Sequence, residues 1–345
     1  MPNYFAFQWH ITEACDQRCK HCYIYANNPG KMPASMAWSK MQHVVDQCVA
    51  MCRKFDRMPE FYLTGGDPLL HPDFWRLVEL LRDMNIPFTI LGNPYHLDND
   101  VCKRLKRNGC QRYQLSLDGM RSTHNWFRKH GAFDATLAAI PLLRRVGIET
   151  VLMSTVSGRN IEEIPDVLDI AVENKADVFA FTRYVPAKGE ADNGIDPLDY
   201  RRLLDACNQR MSEYQRRGCS TWLDRKDHLW TLYAYEQGEF VIPDDAIPGV
   251  IYDGCNCGNC HLTILPDGDV LACRRVNGSR VGNVFKDTLS RLWLGPLERF
   301  REYEAFKKCG KCPLLAWCRG CPAVAKAVTG DFYGVDPQCW RKADA

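Results

Sequence analysis

Short apolar runs alternate with amphipathic stretches along the first two hundred residues of the chain. The runs are rich in β-branched and aromatic residues, as is typical of strands, and they cover residues 5–11, 61–64, 88–91, 112–117, 150–155 and 178–184. The amphipathic stretches predict helices at residues 38–55, 72–84, 99–108, 133–146 and 161–174. Six strand–helix units in succession predict an α/β fold with a parallel sheet and helices outside it.

Cysteine is unusually frequent in this chain. The 345 residues include 18 cysteines, nine of them after residue 254, so the composition changes near residue 250. Residues 1–14 lack the basic and apolar regions of an export signal, and no apolar run could span a membrane, so we expect a cytoplasmic protein with no membrane contact. The cytosol keeps thiols reduced, which favours metal or redox chemistry over disulfides. The net charge of +2 comes from interspersed charges, and we expect no nucleic acid partner.

Unusual residues follow the predicted strands at the point where each strand ends. They are Cys15, Cys19 and Cys22 after the first strand, "GGDP" (65–68) after the second, Asn93 after the third, "SLDG" (116–119) after the fourth and Arg183 after the sixth. Because the carboxyl ends of parallel strands meet at one edge, we expect these residues to form one site there.

Three closely spaced thiols in "CDQRCKHCY" indicate an iron–sulfur cluster. Cys15, Cys19 and Cys22 can hold three corners of a cubane cluster, whereas a structural zinc ion or an electron-transfer cluster normally takes a fourth protein ligand. The missing ligand leaves one iron open to a substrate or cofactor. The alternative is a zinc site that His21 completes.

The triplet resembles the signature of the radical S-adenosylmethionine (SAM) enzymes, C-x3-C-x2-C after the first strand, and "KHCY" is a familiar form of its end. The resemblance implies a TIM-like partial (β/α)6 barrel in which the open iron of a [4Fe-4S] cluster chelates S-adenosyl-L-methionine. One electron, from a donor such as flavodoxin or ferredoxin, cleaves the sulfonium and releases a 5′-deoxyadenosyl radical that abstracts hydrogen from substrate. The cofactor therefore supplies the radical chemistry, and the protein binds and orients it.

Two further motifs extend the resemblance. In the family a Gly-Gly-Glu-like turn presents backbone groups to the methionyl amine, and Gly65, Gly66 and Asp67 match it with Asp in place of Glu; the alternative is a plain tight turn. Ser116 and Arg128 match a serine and an arginine that contact the cofactor in sulfatase-maturating relatives. An arginine fork suits a carboxylate, although a surface arginine is the alternative. No catalytic base is identified.

The C-terminal cysteines resemble the SPASM auxiliary domain, whose pattern is C-x(9–15)-G-x4-C, then C-x2-C-x5-C-x3-C, then a final Cys. "CHLTILPDGDVLAC" runs from Cys260 to Cys273, C-x2-C-x5-C-x2-C runs from Cys309 to Cys321, and Cys339 follows. The x2 before Cys321 departs from the pattern, and a zinc ribbon is the alternative. We expect a radical SAM partial barrel at 1–200, a helical bridge at 201–254 and a small cysteine-rich iron–sulfur auxiliary domain at 255–345.

The resemblance implies two auxiliary [4Fe-4S] clusters, which with the first makes three clusters. The inner cluster would take an early cysteine together with Cys260, Cys273 and Cys321, and the outer cluster would take Cys309, Cys312, Cys318 and Cys339. The early cysteine is Cys255 or Cys257, and the longer gap between Cys255 and Cys260 fits the relatives better. Cys207, Cys219 and Cys257 are further candidates for hydrogen donation or contact with substrate sulfur.

Members of this subfamily modify ribosomally made peptides. The resemblance therefore implies a peptide maturase that forms a thioether, a carbon–carbon crosslink or another oxidised product. Because the first strand begins near the start of the sequence, we expect the rim or a separate partner protein to recognise any leader peptide. Sulfatase-type oxidation is disfavoured, because Arg274 stands where those relatives have an Asp base.

Two other functions stay open. A radical SAM enzyme with this machinery could act on a small molecule such as a haem or porphyrin precursor, whose propionates Arg274 and Arg275 would bind. In the peptide hypothesis the same arginines would engage an acidic substrate. A non-catalytic iron–sulfur or zinc protein is the third possibility, and it predicts no 5′-deoxyadenosine after SAM and dithionite are added.

Overall fold

The computed structural model describes residues 3–25 and 32–342. Within these ranges, ten strands form one continuous sheet. The strands are β1 (Tyr4–Thr12), β2 (Met58–Gly65), β3 (Phe88–Leu91), β4 (Cys110–Ser116), β5 (Glu149–Val156), β6 (Val178–Arg183), β7 (Trp222–Asp224), β8 (His261–Ile264), β9 (Asp269–Leu271) and β10 (Arg280–Asn283). The α-helices are α1 (Trp38–Lys54), α2 (Phe74–Asp83), α3 (Asn99–Arg107), α4 (Arg121–Phe127), α5 (Ala132–Arg145), α6 (Ile164–Glu173), α7 (Pro197–Arg216), α8 (Leu229–Glu236), α9 (Leu289–Leu294) and α10 (Pro322–Thr329).

The six predicted strands lie side by side in chain order and are parallel. This arrangement confirms the predicted α/β class, a partial TIM-like barrel followed by a cysteine-rich region. Strand β7 extends the sheet beside β6, and β8 pairs with the free edge of β1, both in parallel. Strands β9 and β10 continue from β8 in antiparallel pairing. The cysteine-rich segment therefore continues the sheet of the barrel.

The two faces of the barrel strands differ in burial, because successive side chains of a strand point to opposite sides. In β1, Phe5, Phe7 and Trp9 are at most 1% exposed and belong to the main hydrophobic core. Tyr4 and Gln8, on the other face, keep accessible surface. The outer face supplies the core under the helices, and the inner face lines a polar interior.

Two elements differ from the sequence-based predictions. Helix α4 is absent from the predicted pattern, because its seven residues are too few to establish a helical repeat. Strand β7 lies within the stretch that was predicted to be a helical bridge, and it contributes only three residues at the edge of the sheet. Both elements are short, and tertiary contacts decide their conformation.

Arg183 ends β6, but its side chain does not join a rim site as predicted. The guanidinium is fully buried, with Nε 3.0 Å from Asp227 Oδ2 and Nη1 2.6 Å from Asp336 Oδ1. Nη1 also donates to Gln338 Oε1 at 3.1 Å. Because Asp227 precedes α8 and Asp336 lies near the C-terminus, this ion-pair group ties the barrel to the cysteine-rich region.

Helix length does not indicate a membrane segment. The longest described helix, α7, has 20 residues and carries charged side chains along its length. No helix within the described ranges is both long enough and apolar enough to cross a membrane.

Candidate active site and cysteine clusters

The predicted cysteine triplet lies in the loop that follows β1. Cys15, Cys19 and Cys22 are all partly buried. The backbone N–H of Lys20 donates to the carbonyl of Phe127 at 2.8 Å, which fastens the loop to the end of α4. Burial raises the pKa of the Cys15 thiol to about 11 and raises the pKa of Cys19. These thiols would release their protons on binding a metal centre.

The Gly-Gly turn after β2 supports the start of this loop. A Cβ on Gly65 would lie 1.9 Å from the carbonyl oxygen of Thr12, and one on Gly66 would lie 2.0 Å from that of Ala14. The Gly66 N–H donates to the carbonyl of Thr12 at 2.9 Å, and the Asp67 N–H donates to the carbonyl of Ala14 at 2.7 Å. Glycine is required here because the two backbones are in direct contact.

The side chain of Asp67 joins the ends of β2 and β3. Its Oδ1 accepts a hydrogen bond from the Leu69 N–H at 2.9 Å, and its Oδ2 accepts one from the Asn93 N–H at 3.0 Å. Burial raises the pKa of this carboxyl to about 6. Asn93 in turn donates from Nδ2 to Asp16 Oδ1 at 2.7 Å, and the same nitrogen lies 3.9 Å from Cys15 Sγ. Asp67 thus positions the third strand end against the cysteine loop.

Arg128 lies beside the triplet, as the resemblance implies, and it has a partner that sequence reasoning missed. Its Nε donates to Asp118 Oδ2 at 2.6 Å, and its Nη1 lies 3.6 Å from Cys19 Sγ. Burial opposes ionisation of Asp118, but Arg128 and two histidines outweigh it and lower the pKa to about 2. Asp118 belongs to the "SLDG" motif, and its position ten residues before Arg128 was the available signal. Ser116 ends β4 and is partly buried.

His21 faces the same carboxylate. Its Nε2 lies 3.6 Å from Asp118 Oδ2, and its ring packs edge-on against Phe127. Burial lowers the pKa of His21 to about 4, so the ring is neutral near pH 7. The imidazole therefore belongs to the Asp118 group, which disfavours the zinc site that His21 would have completed.

A cavity of about 400 Å³ opens beside the cysteine loop. Its wall includes His21, Trp126 and Phe127 on one side and Thr155 and Asn193 on another. Aromatic rings and polar groups in one cavity suit a purine nucleoside, and the volume suits a ligand of the size of SAM. Together with three thiols, a glycine cradle and the charged Arg128, the residues present fit the predicted cofactor and cluster.

The C-terminal cysteines form two groups. The thiols that act most strongly on the pKa of Cys257 are those of Cys255, Cys273 and Cys321, so these four cysteines lie together. Cys309 has Cys339 and Cys312 as charged neighbours, and Cys318 has Cys309 and Cys339. The second group has the membership that the resemblance implies for the outer cluster.

Cys260 does not join the first group, in contrast to its predicted role. It precedes β8, and its carbonyl accepts a hydrogen bond from the Ala6 N–H at 2.7 Å, which fixes it against β1. Its thiol interacts with Tyr4, with Arg57 and Glu60 as the next charged neighbours. The spacing contained the signal: ten residues (258–267) separate Cys257 from Gly268, within the family pattern, and only seven (261–267) separate Cys260 from it.

The two cysteine regions approach each other at Tyr23. This residue follows Cys22, and the Arg274 guanidinium lies 5.0 Å from the centroid of its ring. Burial raises the pKa of Tyr23, and the charged forms of Cys22 and Cys273 both act on it. Tyr23 therefore lies near both the N-terminal triplet and the first C-terminal group.

A site for a single metal ion needs acidic, histidine or cysteine side chains that lie close together. Across residues 3–25 and 32–342, no three of them converge closely enough to hold one metal ion. Cys207 is buried in the main core, and Cys219 is partly buried beside it. Neither of these two cysteines lies in a cysteine group described above.

Comparison with known proteins identifies the family. The profile of the radical SAM superfamily matches residues 9–171, and that of the SPASM iron–sulfur cluster-binding domain matches residues 255–322. The protein is a radical SAM enzyme with a SPASM domain. Membership in these families implies iron–sulfur clusters and SAM binding.

The curated relatives of this radical SAM/SPASM enzyme act on different substrates. The AdoMet-dependent heme synthase of Methanosarcina barkeri is 27% identical over 338 residues, which cover 96% of this chain and 95% of the relative. The mycofactocin maturase MftC of Mycobacterium ulcerans is 28% identical over 343 residues, which cover 96% and 86%. Streptococcus suis SuiB bound to S-adenosylmethionine shares the fold, with a TM-score of 0.75, 20% identity and coverage of 98% and 77%.

Proposed function

We propose that this enzyme uses a 5′-deoxyadenosyl radical to modify a ribosomally made peptide in the cytoplasm. The product would carry a thioether, a carbon–carbon crosslink or another two-electron oxidation. The observation that carries the proposal is that Tyr23 has both Cys22 and Cys273 as neighbours, so the two cysteine regions lie close together. A substrate radical formed near the triplet would lie close to a second redox centre that can accept its remaining electron.

The proposal assigns each cysteine group a role. Cys15, Cys19 and Cys22 would hold a [4Fe-4S] cluster with one open iron, which supplies reductive cleavage of SAM when the cofactor is bound. The inner auxiliary cluster would take Cys255, Cys257, Cys273 and Cys321, and the outer one would take Cys309, Cys312, Cys318 and Cys339. A flavodoxin or ferredoxin would supply the electron, and a separate protein could present the leader peptide.

The residues around the triplet would orient the cofactor. Gly65 and Gly66 would offer backbone groups to the methionyl amine, and Asp67 holds that turn in place. Arg128 would face the methionyl carboxylate, since Asp118 accepts from its Nε and leaves other N–H donors of the guanidinium for a ligand. Ser116, at the end of β4, would contact the same cofactor.

The test is isotope transfer. Anaerobically reconstituted enzyme would receive SAM, dithionite and deuterated peptides encoded beside its gene, and mass spectrometry would follow deuterium into 5′-deoxyadenosine. We expect label transfer and a peptide product that has lost two hydrogens. A variant with all three triplet cysteines changed to alanine is the control for background cleavage.

A porphyrin substrate is the second candidate. It is favoured by the heme synthase relatives, one of which aligns over 95% of its length. Iron–coproporphyrin III, deuterated on its propionates, would be offered in the same assay. Label transfer from the porphyrin and from no peptide would overturn the peptide proposal and leave the radical SAM chemistry intact.

A further inference from the structure

Several cationic side chains lie where the barrel meets the cysteine-rich region, and their surroundings indicate an internal chamber there. Lys226 and Arg275 keep large accessible surfaces. Burial is nevertheless the largest influence on the pKa of each, since protein surrounds them. A side chain that faces an internal cavity can keep accessible surface and still be surrounded by protein. His261, on β8, neighbours both cations, so the chamber extends between β7 and β8.

The chamber continues toward the cysteine triplet. His10, on β1, has His261 and Arg274 as neighbours. Arg274 in turn covers the ring of Tyr23, the residue after Cys22. Basic side chains therefore follow one another from the end of β7 to Tyr23, the residue next to the cysteine triplet.

These cations lack the partners that other buried arginines of the chain have. Arg183 is paired with two aspartates and Arg128 with one. Within the described residues, Lys226 and Arg275 form no ion pair or side-chain hydrogen bond. Among the described residues, Arg274 Nε and His10 Nε2 are buried atoms without a hydrogen-bond partner, and His10 is only 1% exposed.

Few carboxylates are available to neutralise the chamber. Asp224 is an acidic neighbour of Lys226, but within the described residues the two form no ion pair. Asp227 is committed to Arg183. Arg275 lies near Cys321 and Cys273, and a cluster held there would balance its charge. Lys226 and Arg274 keep uncompensated donors even with that cluster present, and enclosed charges of this kind need an anionic partner.

We propose that the substrate places a carboxylate in this chamber, where Lys226 and Arg274 bind it. The inference rests on the proposed function only in taking this chamber as the substrate site. In a peptide the group would be an Asp or Glu side chain or the C-terminus, and in a porphyrin it would be a propionate. The carboxylate would anchor the substrate and leave the neighbouring carbon–hydrogen bonds close to Tyr23.

The test is binding without turnover. Reconstituted holoenzyme with SAM and no reductant would be equilibrated with a pool of short peptides that contain Asp or Glu, and with a matched pool that contains Asn or Gln. Coproporphyrin III and its tetra-amide form the second pair. Ultrafiltration and mass spectrometry would quantify retention. We expect the acids to be retained about tenfold better than the amides in one pair or both.

Variants test which side chains cause the preference for carboxylates over amides. Lys226→Met should abolish the preferential retention of acids over amides, and Lys226→Arg should restore most of it. Lys103→Met, at an exposed position on α3, is the control and should leave the preference unchanged. Arg274→Gln should weaken it, with iron content measured because Cys273 is adjacent. Equal retention of acids and amides by the wild type, retention of neither, or a preference that survives in Lys226→Met would overturn the inference.

The outcome is separable from the proposed function. Addition of dithionite to the same samples measures modification. A carboxylate preference without modification of any peptide or porphyrin would overturn the proposed function and leave the chamber assignment intact. Modification of a substrate without a carboxylate preference would overturn the chamber assignment alone.

Discussion

The N-terminal cysteine loop and the first C-terminal cysteine group are supported by different kinds of structure. The loop is held by the ends of parallel strands, through the backbone of Gly66 and Asp67 and the side chain of Asn93. In the C-terminal group, Cys255 and Cys257 lie outside the helices and strands, near the buried guanidinium of Arg319. Arg319 donates to the carbonyls of Asp253 at 3.0 Å and Cys255 at 2.8 Å.

The difference shows what a regular sheet contributes to a site. Neighbouring parallel strands end at one edge, so the barrel brings its loops together by topology alone. In the C-terminal group, Cys273 follows β9 and Cys321 precedes α10, but Cys255 and Cys257 lie outside the helices and strands and depend on a few side-chain contacts. We therefore expect the triplet to tolerate changes in its surroundings better than the first C-terminal group does.

The largest expected effect is on the triplet itself. Cys19→Ala should reduce 5′-deoxyadenosine formation to background, because two thiols cannot hold the cluster that binds SAM. Cys219→Ala, at a partly buried cysteine outside the cysteine groups described, is the control and should keep wild-type activity. Chromatographic measurement of 5′-deoxyadenosine checks both variants, and substantial activity in Cys19→Ala would contradict the assignment of the triplet.

The ion-pair group that links barrel and cysteine-rich region should make the largest contribution to stability. Arg183→Met would leave Asp227 and Asp336 buried without their cation, and we expect a loss of about 3–5 kcal/mol in the free energy of unfolding. Arg210→Met is the matched control, because Arg210 also pairs with two aspartates but on the surface. That change should cost about 0–1 kcal/mol. Anaerobic denaturant unfolding measures both, and equal losses would contradict the prediction.

The membership of the first C-terminal group can be tested with two neighbouring cysteines. Cys257→Ala should lower the iron content of the reconstituted protein by about four atoms, the content of one cluster. Cys260→Ala should leave the iron content near that of the wild type, because its thiol lies with Tyr4. Iron and sulfide analysis with absorption spectroscopy checks the pair. The reverse result would restore Cys260 as the ligand, as first predicted.

The sequence was sufficient where the structure follows repetitive rules. The six barrel strands and the position of the triplet could be predicted, because apolar alternation and strand order determine them. Arg183 could not be assigned correctly, since its partners Asp227 and Asp336 lie 44 and 153 residues away along the chain. The choice between Cys257 and Cys260 could have been made from the sequence, since only Cys257 has the family spacing to Gly268. The contact of the Cys260 thiol with Tyr4 could not, because it follows from the pairing of β8 with β1.

The smallest expected effect concerns the outer support of the N-terminal loop. Lys20 Nζ lies 3.9 Å from the centroid of the Trp126 ring, and Arg159 covers the same ring at 3.5 Å. A cation–π contact at a partly exposed site contributes about 0.5–1 kcal/mol, so Trp126→Leu should raise the KM for SAM about two- to fivefold with kcat unchanged. Trp222→Leu, at an exposed position on β7, should change neither constant. Steady-state kinetics of SAM cleavage measures both variants. A fall in kcat as large as the rise in KM would mean that Trp126 positions the reacting groups and does more than hold the loop, which would make this loop as dependent on single contacts as the C-terminal group.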